Sequence, residues 1–293
     1  MTSSLLPPID IKEIQAKSIL TPSKLPDADF VINPYIGCRF GCTYCYASFM
    51  ARYSGKDIHD WGKFVYAKTN APELLEKELK KLKNFGQSKS ICISSVTDPY
   101  QGVEAKYRLT RQCLEVLADY GFEGTIGILT KSDLVLRDSD ILKRLKNVEV
   151  GLTITSTDDS ISRYFEQFAP TVSQRLKALK ELNAQHIKTY AFVGPLLPHF
   201  VADPQKLDQL FREVSETGTK EVYVEHLNLS NYILGRLRTE MPDLDKTIVT
   251  KFYESKTVGY REELDMLIGE CVTRYGLSLR LGGTIYHKDS LPN

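Results

Sequence analysis

Long apolar runs are missing from this 293-residue chain, and no stretch approaches the ~18–20 apolar residues of a membrane span. The N-terminus lacks the basic start and apolar core of a secretory signal. An excess of one charge is missing too: 38 Lys and Arg face 37 Asp and Glu, a formal net charge of +1. Non-specific polyanion binding rests on surplus positive charge, so that class is excluded, although a local basic groove is not. Cysteine is scarce, with six residues, and in so long a chain without a secretory signal these do not suggest a disulfide scaffold. Hydrophobic residues at 42% and charged residues at 26% exclude bulk disorder and coiled coil. A soluble cytoplasmic protein with its own core is expected.

What is present is an alternation. Residues 1–29 carry Pro7, Pro8, Pro22 and Pro26 and read as a surface arm with one short helix near residues 10–17. From Phe30, strand-length apolar stretches fall at 30–33, 90–96, 125–130, 148–155, 189–193 and 221–227. Helical patterns separate them at 72–83, 110–120, 138–145, 171–182 and 204–216. Strand alternating with helix implies a parallel sheet covered by helices. The fourth strand sets Val150, Leu152 and Ile154 on one face and Gly151, Thr153 and Thr155 on the other. Strands buried on both faces read as continuous apolar runs, so the small polar face suits a barrel lumen that holds a ligand near its C-terminal mouth. Residues 231–275 read as helical, with a helix start near Pro242 and Asp243 and a stop at Gly276. The apolar stretch 277–281 then runs into Gly282 and Gly283. The fold class expected is α/β, a partial (β/α)6 TIM-type barrel over residues 30–230, with an N-terminal arm and a helical C-terminal cap over 231–293.

Three cysteines crowd the loop after the first strand: Asn33-Pro-Tyr-Ile-Gly-Cys38-Arg-Phe-Gly-Cys42-Thr-Tyr-Cys45. Thiolates are the usual ligands of iron–sulfur clusters. Three of them hold three irons of a cubane and leave the fourth open, and an open site is where a metal does chemistry. Gly37 and Gly41 let the chain turn tightly around such a cluster. A structural zinc site needs a fourth ligand, for which His59 is the candidate. Buried free cysteines that pack as small hydrophobes are the third reading, and it suits the scattered Cys92, Cys113 and Cys271.

This Cx3CxxC loop, placed at the end of a first strand and followed by alternating strands and helices, resembles the radical S-adenosylmethionine superfamily. Further stretches resemble the branch related to spore photoproduct lyase: Val96-Thr97-Asp98-Pro99-Tyr100-Gln101, Leu109-Thr110-Arg111, Leu129-Thr130-Lys131-Ser132 and Thr153-Ile154-Thr155-Ser156. So do Phe165-Glu166, Pro170 and Arg175-Leu176. The resemblance implies a [4Fe–4S] cluster on Cys38, Cys42 and Cys45, with S-adenosylmethionine chelating the open iron. Reductive cleavage of the sulfonium would give a 5′-deoxyadenosyl radical that takes hydrogen from a substrate. The electron would come from a reductant such as flavodoxin or ferredoxin.

The same resemblance distributes roles. Ser95, Thr97 and Asp98 would meet the methionyl ammonium, although Asp98 before Pro99 also suits a turn. Lys131 would pair with the methionyl carboxylate. Thr153, Thr155 and Ser156 would meet the ribose or carboxylate, and Val193-Gly194-Pro195 would bring backbone near adenine. Tyr44 is expected at adenine or in loop packing, and Tyr46 is the candidate hydrogen-atom relay. His226 and Asn228 are candidates for adenosyl or substrate contact, a core histidine being the other reading of His226, with Glu225 paired to a cation inside the barrel. Glu166 and Arg175 are expected to pair with each other on the outside. The resembling lyases carry a hydrogen-donating cysteine in a Cys-Thr-Ser-Asp run, and alignment puts Ser95 in its place. A serine O–H bond is far too strong to give up its hydrogen atom as a thiol does, which turns the reading away from thymine-photolesion repair in DNA. A nucleoside, nucleotide or other small-molecule substrate is favoured. Photolesion repair and a non-catalytic zinc or iron–sulfur protein are the competing readings.

Overall fold

The computed structural model describes residues 9–198, 203–243 and 245–287. Five short strands come first: β1 (Asp10–Ile14), β2 (Leu20–Pro22), β3 (Phe30–Ile32), β4 (Tyr35–Ile36) and β5 (Phe64–Lys68). β1 overturns the helix expected near residues 10–17. Its five residues run parallel to β5, Asp10 opposite Phe64, and β4 flanks β5 on the other side to complete a small three-stranded sheet. That sheet buries Tyr35, Val65 and Ala67 behind the cysteine loop.

The repeating unit follows: α1 (Ala71–Leu79), β6 (Ser90–Ile93), α2 (Glu104–Tyr107), α3 (Leu109–Tyr120) and β7 (Thr125–Thr130). It continues with α4 (Ser139–Leu142), β8 (Val148–Ile154), α5 (Asp159–Phe165), α6 (Val172–Ala184), β9 (Lys188–Leu196), α7 (Pro204–Glu216) and β10 (Glu221–His226). The helix expected over 138–145 starts earlier, as a 3-10 turn over Asp133–Asp138, because the Ser132 hydroxyl accepts from the Leu134 amide and caps it. α6 begins where Thr171 and Gln174 form a reciprocal capping box.

The main sheet has the order β10-β9-β8-β7-β6-β3-β2, with a short C-terminal strand (Ser278–Leu279, β11) added beside β10, and does not close on itself. Its neighbours are parallel except the β2–β3 pair. One face carries Ile32, Ile93, Ile128, Leu152, Val193 and Val224, packed under the helices in a single core with Leu75, Leu114, Leu117, Leu179 and Phe211. Each such side chain contributes ~1.5–3 kcal/mol by leaving water. By register, the opposite face aligns Cys92, Gly127, Glu149 and, one step further, Gly151 with Tyr190 and Thr153 with Phe192. The two-faced pattern read from the fourth strand is thus the division between helix-covered core and concave lumen of a partial barrel. Cys92 falls on the lumen side and is half-buried, which corrects its reading as a core residue. Cys113 and Cys271 are buried.

The C-terminal segment is α8 (Asn231–Glu240), α9 (Lys246–Glu254), α10 (Val258–Arg274) and β11 (Ser278–Leu279). α9 is capped by Asp245, which accepts from the Thr247 amide at 2.7 Å, rather than by Asp243. Gly276, in the left-handed region at φ 59°, follows the end of α10. β11 then pairs in parallel with β10 and extends the sheet edge. No helix among the described residues is long and apolar enough to cross a membrane.

Candidate active site

The cysteine loop leaves β4 and enters a 3-10 turn at Tyr46. Cys38 and Cys42 are 8% and 6% exposed, Cys45 is half-buried, and none is in a disulfide. The loop takes its shape from glycines. Gly37 has φ 81°, and a Cβ there would stand 2.5 Å from the Phe64 carbonyl oxygen. Gly41 has φ 61° and packs against Gly62, where an added Cβ would meet the Gly41 Cα at 2.8 Å.

The loop after β6 clamps this turn. The Thr97 hydroxyl donates to the Gly37 carbonyl at 2.6 Å, and Gln101 Nε2 donates to the same oxygen at 3.1 Å. Gln101 Oε1 in turn accepts the Arg39 amide at 2.7 Å. Asp98 sits beside Cys38, but both its oxygens serve the protein. Oδ1 accepts from Thr130 Oγ1 at 2.6 Å and the Tyr100 amide at 2.9 Å, and Oδ2 accepts from the Lys131 amide at 2.8 Å. These bonds tie the C-terminal ends of β6 and β7 together and form the turn before Pro99. Burial raises the Asp98 carboxyl against the pull of those donors. The Ser95 amide donates to Asn33 Oδ1 at 3.0 Å, and its carbonyl accepts from the Tyr46 hydroxyl. Tyr46 therefore bridges the cysteine loop to the end of β6 while its ring stays exposed.

On the other side lies a buried charge network. Glu166 and Arg175 do pair, at 2.5 Å, but at 1% and 0% exposure they are inside the molecule, not on the outside. Glu166 also accepts from the Tyr44 hydroxyl, and Arg175 donates to the Thr153 carbonyl at 3.1 Å and the Pro170 carbonyl at 2.7 Å. This explains Tyr44: its phenol is tethered and its ring packs against Phe165. Lys131 Nζ stands 3.9 Å from Glu166 and faces the Tyr44 ring at 5.9 Å. Burial works against its charge, yet Cys42 and Glu166 more than offset that, so its pKa is raised. A buried ammonium with only a long contact to a carboxylate retains capacity for a further anion. Among the described residues the Thr155 hydroxyl is buried with no hydrogen-bond partner, Thr153 is buried beside it, and Ser156 Oγ accepts from the Asp158 amide at 2.9 Å.

Two expected contacts lie elsewhere. His226 shares its face of β10 with Val222 and Val224, so it points away from the lumen, edge-on to Tyr260 of α10. Burial lowers its pKa to about 4. Glu225, on the lumen side, pairs with His287 at 2.8 Å. Asn228 Oδ1 accepts from the Ser230 amide at 3.0 Å and shapes the turn into α8. At Gly194 an added Cβ would stand 2.9 Å from the Glu225 Cβ, so this glycine serves strand packing.

Sequence reasoning missed Gly62, Trp61 and Arg236. Trp61, the single tryptophan, is buried beside Cys45 and packs edge-on against Phe64. His59, the alternative zinc ligand, instead places Nδ1 3.2 Å from Glu240. Burial pushes the three thiols up, Cys42 to about 12. Among the described residues no group of three or more His, Cys, Asp or Glu side chains is arranged to hold a metal ion. A cubane takes each thiolate on a different iron, so its cysteines stand further apart.

Fold and site together define an enzyme of one class. The sequence profile of the Radical SAM superfamily matches residues 32–223, and the chain belongs to that superfamily. Membership implies S-adenosylmethionine and an iron–sulfur cluster, together with a reductant and a substrate. An uncharacterized protein of Methanocaldococcus jannaschii is 38% identical over 221 residues, 75% of this chain and 79% of that protein. A radical SAM Nalpha-GlyT isomerase of Pseudomonas phage M6 is 24% identical over 260 residues, 84% of this chain but 52% of the phage protein. The fold is similar to that of spore photoproduct lyase complexed with dinucleoside spore photoproduct, with a TM-score of 0.65 at 16% identity over 94% of this chain and 82% of that one.

Proposed function

We propose that Cys38, Cys42 and Cys45 hold a [4Fe–4S] cluster at which S-adenosylmethionine is reductively cleaved, supplying a 5′-deoxyadenosyl radical for hydrogen abstraction from a nucleoside- or nucleotide-type substrate. One observation carries this reading: three unpaired thiols on a glycine-shaped loop, clamped to the end of β6 and facing the buried ammonium of Lys131. Lys131 would hold the methionyl carboxylate. The unpartnered Thr155 hydroxyl, with Thr153 and Ser156, would face the ribose. Thr97 and Asp98 brace the cysteine loop and the β6–β7 ends, which leaves Ser95 to meet the methionyl ammonium. Tyr46, exposed beside the cysteine loop, is the candidate residue for returning a hydrogen atom.

The substrate class has two supports. The lumen face of β9 carries Phe192, partly exposed beside the Tyr223 ring at 5.8 Å, which suits contact with a planar base. The similar lyase fold was solved with a dinucleoside. A soluble one-electron carrier such as a flavodoxin or ferredoxin would supply the electron.

The test is anaerobic. Cluster-loaded protein with dithionite and S-adenosylmethionine is assayed for 5′-deoxyadenosine and methionine by mass spectrometry, alone and with nucleosides, dinucleotides and oligonucleotides. Both products are expected, and Cys42→Ala abolishes them. A fully loaded cluster that releases neither product under any of these conditions overturns the proposal.

A further inference from the structure

The face of α8 that carries Tyr232, Arg236 and Glu240 lies against the cysteine loop. The Tyr232 hydroxyl donates to the Tyr46 carbonyl at 2.9 Å, and Arg236 Nη1 donates to the Cys42 carbonyl at 3.2 Å. These two carbonyls bracket Cys45. The remaining edge of the guanidinium is held by Glu240, with Nε and Nη2 each donating at 2.8 Å. Arg236 is 1% exposed, on the buried face of α8 with Ile233 and Leu237. This helix lies beyond residue 223, where the superfamily match ends.

Burying a guanidinium is costly, and an apolar side chain of similar volume would fill the same space without that cost. A cation retained there, one hydrogen bond from a ligand residue, has an electrostatic consequence. A cluster gains negative charge on reduction, and its potential responds to nearby charge and hydrogen bonding.

We infer that Arg236 is a positioning residue of the cluster site: through the Cys42 carbonyl it fixes the ligand loop, and its charge, moderated by Glu240, sets how readily a cluster there accepts an electron. The inference rests on the reading of Cys38, Cys42 and Cys45 as cluster ligands. Arg236 and Glu240 then act with opposite sign. Loss of the cation makes reduction harder, and loss of the anion makes it easier. A residue that merely packs the helix would shift both variants the same way or neither.

The experiment compares wild type, Arg236→Met, Arg236→Lys and Glu240→Gln after anaerobic reconstitution. Midpoint potentials come from redox titration followed by electron paramagnetic resonance, and iron release to a chelator is timed in parallel. Arg236→Met is expected to shift the potential negative and to lose iron several-fold faster. Arg236→Lys recovers much of the potential but less of the iron retention, because one ammonium cannot bond both Glu240 and the carbonyl as the guanidinium fork does. Glu240→Gln is expected to shift the potential positive. Equal potentials in Glu240→Gln and wild type, or shifts of one sign in both charge variants, overturn the inference. If Arg236→Met does not fold, the sign in Glu240→Gln and the recovery in Arg236→Lys still decide. A wild-type chain with no [4Fe–4S] signal overturns the ligand reading itself, which differs from a cluster whose potential ignores Arg236.

Discussion

At the scale of single residues, Glu166 shows how far a buried carboxylate can depend on its neighbours. Burial alone would push its carboxyl up, but the charges of Arg175 and Lys131 more than offset this and hold it below the usual range. Glu166→Gln would strand the buried Arg175 guanidinium, and a loss of ~3–5 kcal/mol is expected. The pH dependence follows from the depressed value. The stability that ionised Glu166 contributes is fully present above the unfolded value of ~4.3 and is lost as the pH falls through its lower folded value. Urea melts of cluster-free protein should therefore show the gap between wild type and Glu166→Gln narrowing below about pH 4. A gap that stays constant into that range would show that the ion pair is not its source. The three cysteines and the two loop glycines were legible in the sequence because their spacing is local. The buried Glu166–Arg175 pair was legible as a pair but not as an interior one, since burial depends on what a distant Tyr44 brings to it. Gly62 and Trp61 gave no signal, because their partners Gly41 and Cys45 are met only in three dimensions.

At the scale of elements, the six parallel strands and their helices were legible from period alone, because each buries one apolar face over many residues. β1 was not. Its five residues, Asp-Ile-Lys-Glu-Ile, are mostly exposed and form a strand only because β5 supplies the ladder. β11 is shorter still and owes its place to one side chain just after it. Arg280 donates to both Glu149 oxygens at 2.7 Å, bonds Glu221, and lies 4.7 Å from the Tyr190 ring centre. Arg280→Met is expected to cost about 2 kcal/mol or more, because Glu149 is left largely buried without its fork. The edge of β10 would open as β11 detaches. Chemical denaturation gives the first quantity and hydrogen exchange at the β10 amides the second. Recovery of stability in Arg280→Met with Glu149→Gln would confirm that the stranded carboxylate is the cause. Full protection of β10 in the single variant would contradict it.

At the scale of the whole molecule, ligand binding should appear as stability. A ligand that binds only the folded state at a hundred times its dissociation constant adds ~2.7 kcal/mol. For a chain of this size that is about 5 °C in melting temperature. S-adenosylmethionine is expected to raise the melting temperature of cluster-loaded protein by that order, measured by anaerobic scanning fluorimetry. Lys131→Met should need much more ligand for the same shift, because the cation facing the carboxylate is gone. An equal response in both proteins would remove Lys131 from the binding site.

The unclosed sheet also bears on how the lumen behaves. Among the described residues the main sheet has no ladder between its two edges, but the Tyr223 hydroxyl of β10 donates at 2.6 Å to Asp27, in the segment that leads into β3. That stitch joins the first and last arms of the half-barrel through their strands, and α8 adds further ones by bonding the Tyr46 and Cys42 carbonyls of the cysteine loop. A backbone ladder would fix the spacing along the full strand length. Side-chain stitches fix it only at the points they join, one on the strands and one where α8 grips the cysteine loop. Between those points the width of the half-barrel is set by what packs inside it, not by a ladder.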